Sequence, residues 1–160
     1  MANFENPKAI SLQRLRNLSN LLDNAIPIPG TDYRIGIDPI LGLIPGGGDT
    51  IAAVLSAYIV IEAARLGLPR ESLIRMVFNL IVDTALGSLP FLGDIFDATW
   101  KANIKNLALI ESHLALPQKS KKVDRVFLIF LIIALMLIVM TVTFISVVLF
   151  KLILGLVNGN

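Results

Sequence analysis

Cysteine is absent from the 160 residues, and histidine occurs once, at His113. The first absence excludes disulfides, thiolate metal sites and cysteine nucleophiles, and it says nothing about compartment, because a chain without thiols is indifferent to redox conditions. The second removes multi-histidine metal centres and most histidine-based acid–base chemistry; no partner motif accompanies His113, which reads as a polar-face helix residue. A basic stripe is also lacking. From Met1 to Pro117 nine Lys and Arg stand against eleven Asp and Glu, a net −2. Nucleic-acid binding needs clustered cations to displace counterions, so no nucleic-acid partner is expected. The N-terminal MANFENPKAISLQRLRN has no apolar core of the kind a secretory signal needs.

What the chain has in quantity is apolar surface. Hydrophobic residues make up 55% and the mean hydropathy is +0.76, against roughly 45–50% apolar for an average soluble domain. The length suits one ordinary domain with an appendage. Between Arg125 and Lys151 lie 25 uncharged residues, VFLIFLIIALMLIVMTVTFISVVLF, in which only Thr141, Thr143 and Ser146 are polar. As a helix rising about 1.5 Å per residue they cover more than the roughly 30 Å of a bilayer's hydrocarbon core. A transmembrane helix is therefore expected over 126–150, its hydroxyls bonding back to carbonyls of the preceding turn.

Charge is placed asymmetrically about this segment. From Gln118 onward there are five Lys and Arg and one acid, and Lys119, Lys121, Lys122 and Arg125 all precede the apolar run. Residues 117–125 read as a basic linker suited to anionic lipid head groups, and 151–160 as a short tail. The positive-inside rule puts the body on the cytoplasmic side and the tail on the opposite one.

Within the body, DPILGLIPGGGD (Asp38–Asp49) aligns without a gap on DTALGSLPFLGD (Asp83–Asp94), sharing D-x-x-L-G-x-x-P-x-x-G-D. The residues that recur are Asp38, Gly42, Pro45, Gly48 and Asp49 in the first copy and Asp83, Gly87, Pro90, Gly93 and Asp94 in the second. This predicts a 45-residue repeat of helical units. Asp38 with Pro39 opens a short helix that Pro45 stops, Gly48 allows a tight turn, and Asp49 caps the helix TIAAVLSAYIVIEAARL. Gly67 and Pro69 end that helix and start another at Arg70. A break in MVFNLIVD would let Asp83 cap a further short piece.

The helices differ in kind. Ile51 to Ile61 is apolar nearly all round and must be buried in protein or lipid. Ile104, Leu107, Ala108 and Leu114 share one face with Lys101, Lys105 and Glu111 elsewhere, and Leu15, Leu18, Leu22 and Ala25 make a similar stripe near the N-terminus over residues 1–24. Pro39–Ile61 and Met76–Gly93 each hold a single charge. Proline, glycine and a carboxylate interrupt both runs, which favours a membrane-apposed or partly inserted body over full crossings. Asn79 and Asp83, one turn apart in an apolar run, make a candidate buried polar pair.

The phrases LLDNAIPIPGT, RIGIDPILGLIPGGGD, EAARLGLPRESLIRM and LGSLPFLGDIFDATWKANIKNLALIESHL together resemble the family called domain of unknown function 4112, over about Leu21 to Leu114. The resemblance implies a small helical module, frequently attached to a hydrophobic segment, with no established activity. The apolar run lies outside it.

Sharper readings of the glycine loop meet obstacles. A phosphate loop needs free N–H groups at a helix start and a lysine, whereas Asp49 stands there and no lysine follows. Gly46-Gly47-Gly48-Asp49 matches the GxGD of intramembrane aspartyl proteases, and Phe96-Asp97 resembles its partner motif, but the order is reversed and no PAL sequence follows. Broken apolar helices in two related units, with Asp38, Asp49, Asp83 and Asp94 as carboxylates, suit a small channel or transporter. The blander reading makes all four N-caps. The expectation is an all-α chain with a helical body over 25–116 and a C-terminal transmembrane helix, not an enzyme, without cofactor or metal. Its expected job is that of a membrane-anchored scaffold or interaction module, with the bilayer and a protein partner or a second copy as partners.

Overall fold

The computed structural model of the chain describes residues 7–32, 34–37, 40–41, 47–87, 100–115 and 123–157. Its helices are α1 (Pro7–Asn24), α2 (Gly48–Arg65), α3 (Arg70–Gly87), α4 (Ala102–Ala115) and α5 (Arg125–Val157). The all-α class expected from the sequence holds: the described strands are two-residue β1 (Ile26–Pro27) and β2 (Arg34–Ile35), paired antiparallel with Ile26 opposite Ile35.

Each boundary has a local cause. Pro7, whose fixed φ suits a first helical turn, opens α1, and the expected stripe turns inward with Leu15 and Leu22 buried and Leu18 packed against them. The end of α2 is a Schellman motif: Leu68 N–H donates to Ala63 O and Gly67 N–H to Ala64 O, with Gly67 at φ +88°, where only glycine is unstrained. Pro69 then leads directly into α3, as the sequence implied. At the start of α5, Asp124 is the cap, its Oδ1 accepting Val126 N–H at 3.3 Å. Arg70 at the head of α3 donates to the other oxygen, Oδ2, at 3.1 Å and lies 5.3 Å over the Phe127 ring. Exposed on both sides, that pair stabilises by under about 1 kcal/mol; its use is to fix where α5 begins relative to the α2–α3 corner.

The core joins the five described helices α1 to α5. Leu15 and Leu22 from α1, Ile59, Val60 and Ala63 from α2, Leu73, Met76 and Leu80 from α3, Leu107 and Ile110 from α4, and Leu131 and Leu135 from α5 form one cluster. α1 packs on α4, α4 on α3, α3 on α2, and α2 along α5. The body thus lies beside α5 instead of hanging from its start. α5 is long and apolar enough to cross a membrane, and only 11% of its most apolar stretch is buried, which distinguishes it from the core helix of a soluble domain. It continues without interruption through Lys151 to Val157, further than the 126–150 segment the charges suggested.

Candidate functional site

Two polar clusters stand out against this apolar background. The first lies where α1 ends and α4 begins. Asp23, in the last turn of α1, is almost wholly buried, and its two oxygens are used separately: Oδ1 accepts Asn103 Nδ2 at 2.7 Å and Oδ2 accepts Ile104 N–H at 2.8 Å. The backbone N–H groups of the first helical turn have no partners within their own helix, so Asp23 caps α4 from across the interface, where a helix dipole also favours negative charge. Burial pushes the Asp23 carboxyl above its ordinary 3.8, and the Asn103 side chain, the Ile104 and Asn103 N–H groups and nearby Lys101 pull it back. Lys101, at φ +32°, sits in the left-handed region and is held there through its ammonium, which donates to Asn24 Oδ1.

A relay of amides continues into α3. Asn79 Nδ2 donates to Asn106 Oδ1 at 2.8 Å, Asn106 Nδ2 donates to Met76 O at 3.3 Å, and Trp100 Nε1 donates to Asn79 O at 3.3 Å. The Lys105 ammonium stands 3.0 Å from the Trp100 ring centroid. Desolvation lowers its pKa from 10.5, which the charge of Asp83 partly opposes. Breaking the relay should cost stability: Asn106→Ala is expected to lower the unfolding free energy by about 1–3 kcal/mol, since it strands the Asn79 amide. Chemical denaturation in mild detergent measures this, and Asn79→Ala added on top should contribute less than it does alone.

The second cluster joins α2 to α5. Ser146 Oγ donates to Asp49 Oδ2 at 2.7 Å, Thr50 Oγ1 and Thr143 Oγ1 are 3.0 Å apart, and Thr143 also donates back to Val139 O at 2.8 Å. The back-bonding expected of the span hydroxyls is thus present at Thr143, and at Thr141, which donates to Leu137 O at 2.8 Å. Ser146 departs from it by serving the neighbouring helix. The two clusters are connected through the backbone: Ile37 N–H donates to Leu21 O, Leu41 N–H donates to Ile37 O, and the Leu41 carbonyl presses against Gly48.

Several expectations change here. Asp49 was expected to cap α2, but Gly47 holds that position without a side-chain bond, and Asp49 is the second residue of the first turn and reaches α5 instead. Gly48 was expected to make a turn; it is the first residue of α2 and is buried, and its lack of a side chain admits the Leu41 carbonyl, which a Cβ would meet at 1.4 Å. The break expected before Asp83 does not occur. α3 runs unbroken through Asp83 to Gly87, Asn79 bonds across to Asn106, and Asp83 neighbours Lys105. Asp38, Gly42, Pro45, Pro90, Gly93, Asp94 and Asp97 lie outside the described residues, so the repeat has no structural counterpart to compare. Asp23, Asn103 and Asn106 carried no sequence signal of their own by hydropathy. The buried face of α4 is Ala102, Asn103, Asn106, Leu107 and Ile110, rotated from the expected stripe, with Ala108 exposed.

Beside the relay, α3 and α4 frame an open groove of about 540 Å³, with Ile74, Phe78, Ala108 and Leu109 as apolar lining and Arg75 and Lys105 contributing charge. Among the described residues, no three acidic or histidine side chains are grouped as metal ligands.

The fold and these clusters define a small helical module with a candidate membrane span, in which buried polar side chains tie helix to helix. The chain belongs to the family described as domain of unknown function (DUF4112), whose model matches residues 11–114. That match takes in most of α1, which the resemblance over about Leu21 to Leu114 had left out, and it stops short of α5. No curated protein and no solved structure matches the chain.

Proposed function

We infer that the chain is a non-enzymatic membrane-anchored scaffold or interaction module, held by α5, with the end of the body that carries Arg65, Arg70 and Arg75 on the cytoplasmic side. The carrying observation is the use made of its polar groups. Asp23, Asn79, Asn103 and Asn106 bond helix to helix inside the body, and Asp49 and Thr50 bond the body to α5. Groups spent in this way hold an architecture. The α3–α4 groove is a surface open for recognition, and its apolar lining beside Arg75 and Lys105 suits an apolar helix of a partner protein with an acidic flank. Cations near the first turn of α5, together with Lys119, Lys121 and Lys122, support the orientation.

Two assays test this. A photo-crosslinking residue in place of exposed Phe78 is expected to give one discrete protein adduct in native membranes, weakened by Arg75→Glu. Lipid adducts alone would count against a protein partner. In liposomes with well-incorporated protein, no ion or solute flux is expected. Flux that scales with protein content would replace the scaffold with a channel or transporter.

A further inference from the structure

We propose that α2 lies within the bilayer alongside α5, with the stripe Ile51, Val54 and Tyr58 in contact with lipid acyl chains. This rests on reading α5 as a span and extends it to a helix too charged at its ends to be recognised alone.

Geometry comes first. Asp49 meets Ser146 and Thr50 meets Thr143, so α2 runs antiparallel to α5, while the α2–α3 corner is fixed at the start of α5 through Arg70, Asp124 and Phe127. At about 1.5 Å per residue, Ser146 lies roughly 30 Å along α5 from Arg125, which is about the thickness of a hydrocarbon core. A bilayer is a slab. A helix packed beside a span between its two ends occupies the same slab, and the faces it does not bury in protein meet lipid.

Chemistry agrees with the placement. Thr50 to Ile61 contains twelve residues and no charge. That is about 18 Å of helix, too short to cross alone but enough to line most of the core when braced against a neighbour. The outward positions are apolar or amphipathic: Ile51 is 49% exposed, Val54 49% and Tyr58 42%. They follow at spacings of three and four, which makes them one stripe. Charge returns only at the two ends. There Asp49 accepts the Ser146 hydroxyl, and Glu62 pairs with Arg65 at 2.5 Å. Along α5 the outward residues at the same levels are also large and apolar, among them Ile132, Ile133, Met136, Met140 and Phe144, so the lipid surface of α5 continues around onto α2. Inside the slab, the Thr50–Thr143 hydroxyl bond ties α2 to α5 in a medium that offers no competing water, and the Asp49–Ser146 bond closes the pair at its edge.

The cysteine-free chain allows spin labels at single introduced cysteines without background substitution. With the full chain in phosphatidylcholine–phosphatidylglycerol vesicles, labels are placed at Ile51→Cys and Val54→Cys on α2, at Phe144→Cys on α5, and at Arg65→Cys, a side chain 70% exposed near the basic end. All replace outward side chains, and circular dichroism checks that helix content is retained. Power saturation then compares accessibility to oxygen, which enters the bilayer, with accessibility to a water-soluble nickel chelate. Positions 51 and 54 are expected to match position 144, with an oxygen-to-nickel ratio severalfold above that at 65. A ratio at 51 and 54 equal to that at 65, with position 144 still oxygen-accessible, would overturn the insertion of α2 and leave α5 standing. Nickel access at 144 would overturn the span, and the insertion with it.

Discussion

Replacing Asp23 with alanine is expected to lower the unfolding free energy by about 2–3 kcal/mol. The carboxylate satisfies a fully buried Asn103 amide and the Ile104 N–H, and alanine strands both where water cannot easily reach them. Relief of the cost of burying a charge offsets part of the loss, which keeps the effect below that of breaking a buried ion pair. Asp23→Asn keeps the shape and one acceptor but turns an amide N–H₂ towards a donor, so about 1–2 kcal/mol is expected. The pH dependence separates this from simple packing. Because burial raises the folded pKa above 3.8, the folded state binds the proton more tightly than the unfolded chain does. The resulting stabilisation is complete below 3.8 and is lost as pH rises through the folded pKa. The asparagine variant has no such slope, so the gap between it and the natural chain should be widest at the acid end and should narrow on going up through that window. A gap that stays constant with pH would mean that the Asp23 carboxyl does not titrate in that window.

The glycine triplet gives the second large effect, and it is selective. Gly48→Ala is expected to cost about 3 kcal/mol or to abolish folding, since a Cβ there would stand 1.4 Å from Leu41 O and 2.2 Å from its carbonyl carbon. Backbone is in the way, and no rotamer change relieves it. At the adjacent Gly47, nothing lies within 4 Å of the place a methyl group would take, and φ is −153°, outside the left-handed region that demands glycine. Gly47→Ala should therefore cost only about 1 kcal/mol, the loss on replacing glycine by the poorer N-cap alanine. Thermal or chemical denaturation of the two variants side by side reads this directly. Equal effects would show that the close approach of Leu41 to α2 is not what position 48 serves.

That contrast shows how far the sequence could be read. Alignment of Asp38–Asp49 with Asp83–Asp94 singled out Gly48 over Gly46 and Gly47, and structure gives Gly48 a demanding role, although a different one from a turn. Local signals worked where the cause is local: Gly67 and Pro69 between α2 and α3, the Leu15 and Leu22 stripe, and the uncharged run of α5. They failed where another helix supplies the partner. Asn103 and Asn106 fall outside the expected apolar face because amides are polar, yet Asp23, Asn79 and Met76 O give them what water would have supplied. Asp49 was assigned to its own helix end because nothing in its neighbourhood reveals that Ser146, 97 residues later, would be within reach. The lateral docking of the body on α5 was invisible for the same reason, since α2 taken alone is a short apolar helix with charged ends. For the candidate site, the sequence pointed to Asn79 and Asp83 as a pair and located the right helix; the bond runs from Asn79 to α4.

The most direct test of the body lying along α5 uses the cysteine-free background again. Thr50→Cys with Thr143→Cys puts two thiols where the hydroxyl oxygens are now 3.0 Å apart, and a disulfide needs Cβ atoms about 3.5–4.5 Å apart. Mild oxidation in native membranes is expected to crosslink this pair within one chain, while the single Thr50→Cys and Thr143→Cys variants give no crosslink within the chain. Absence of the crosslink, with both thiols found reduced and reactive once the chain is denatured, would contradict the structure, leaving the body attached only at the start of α5.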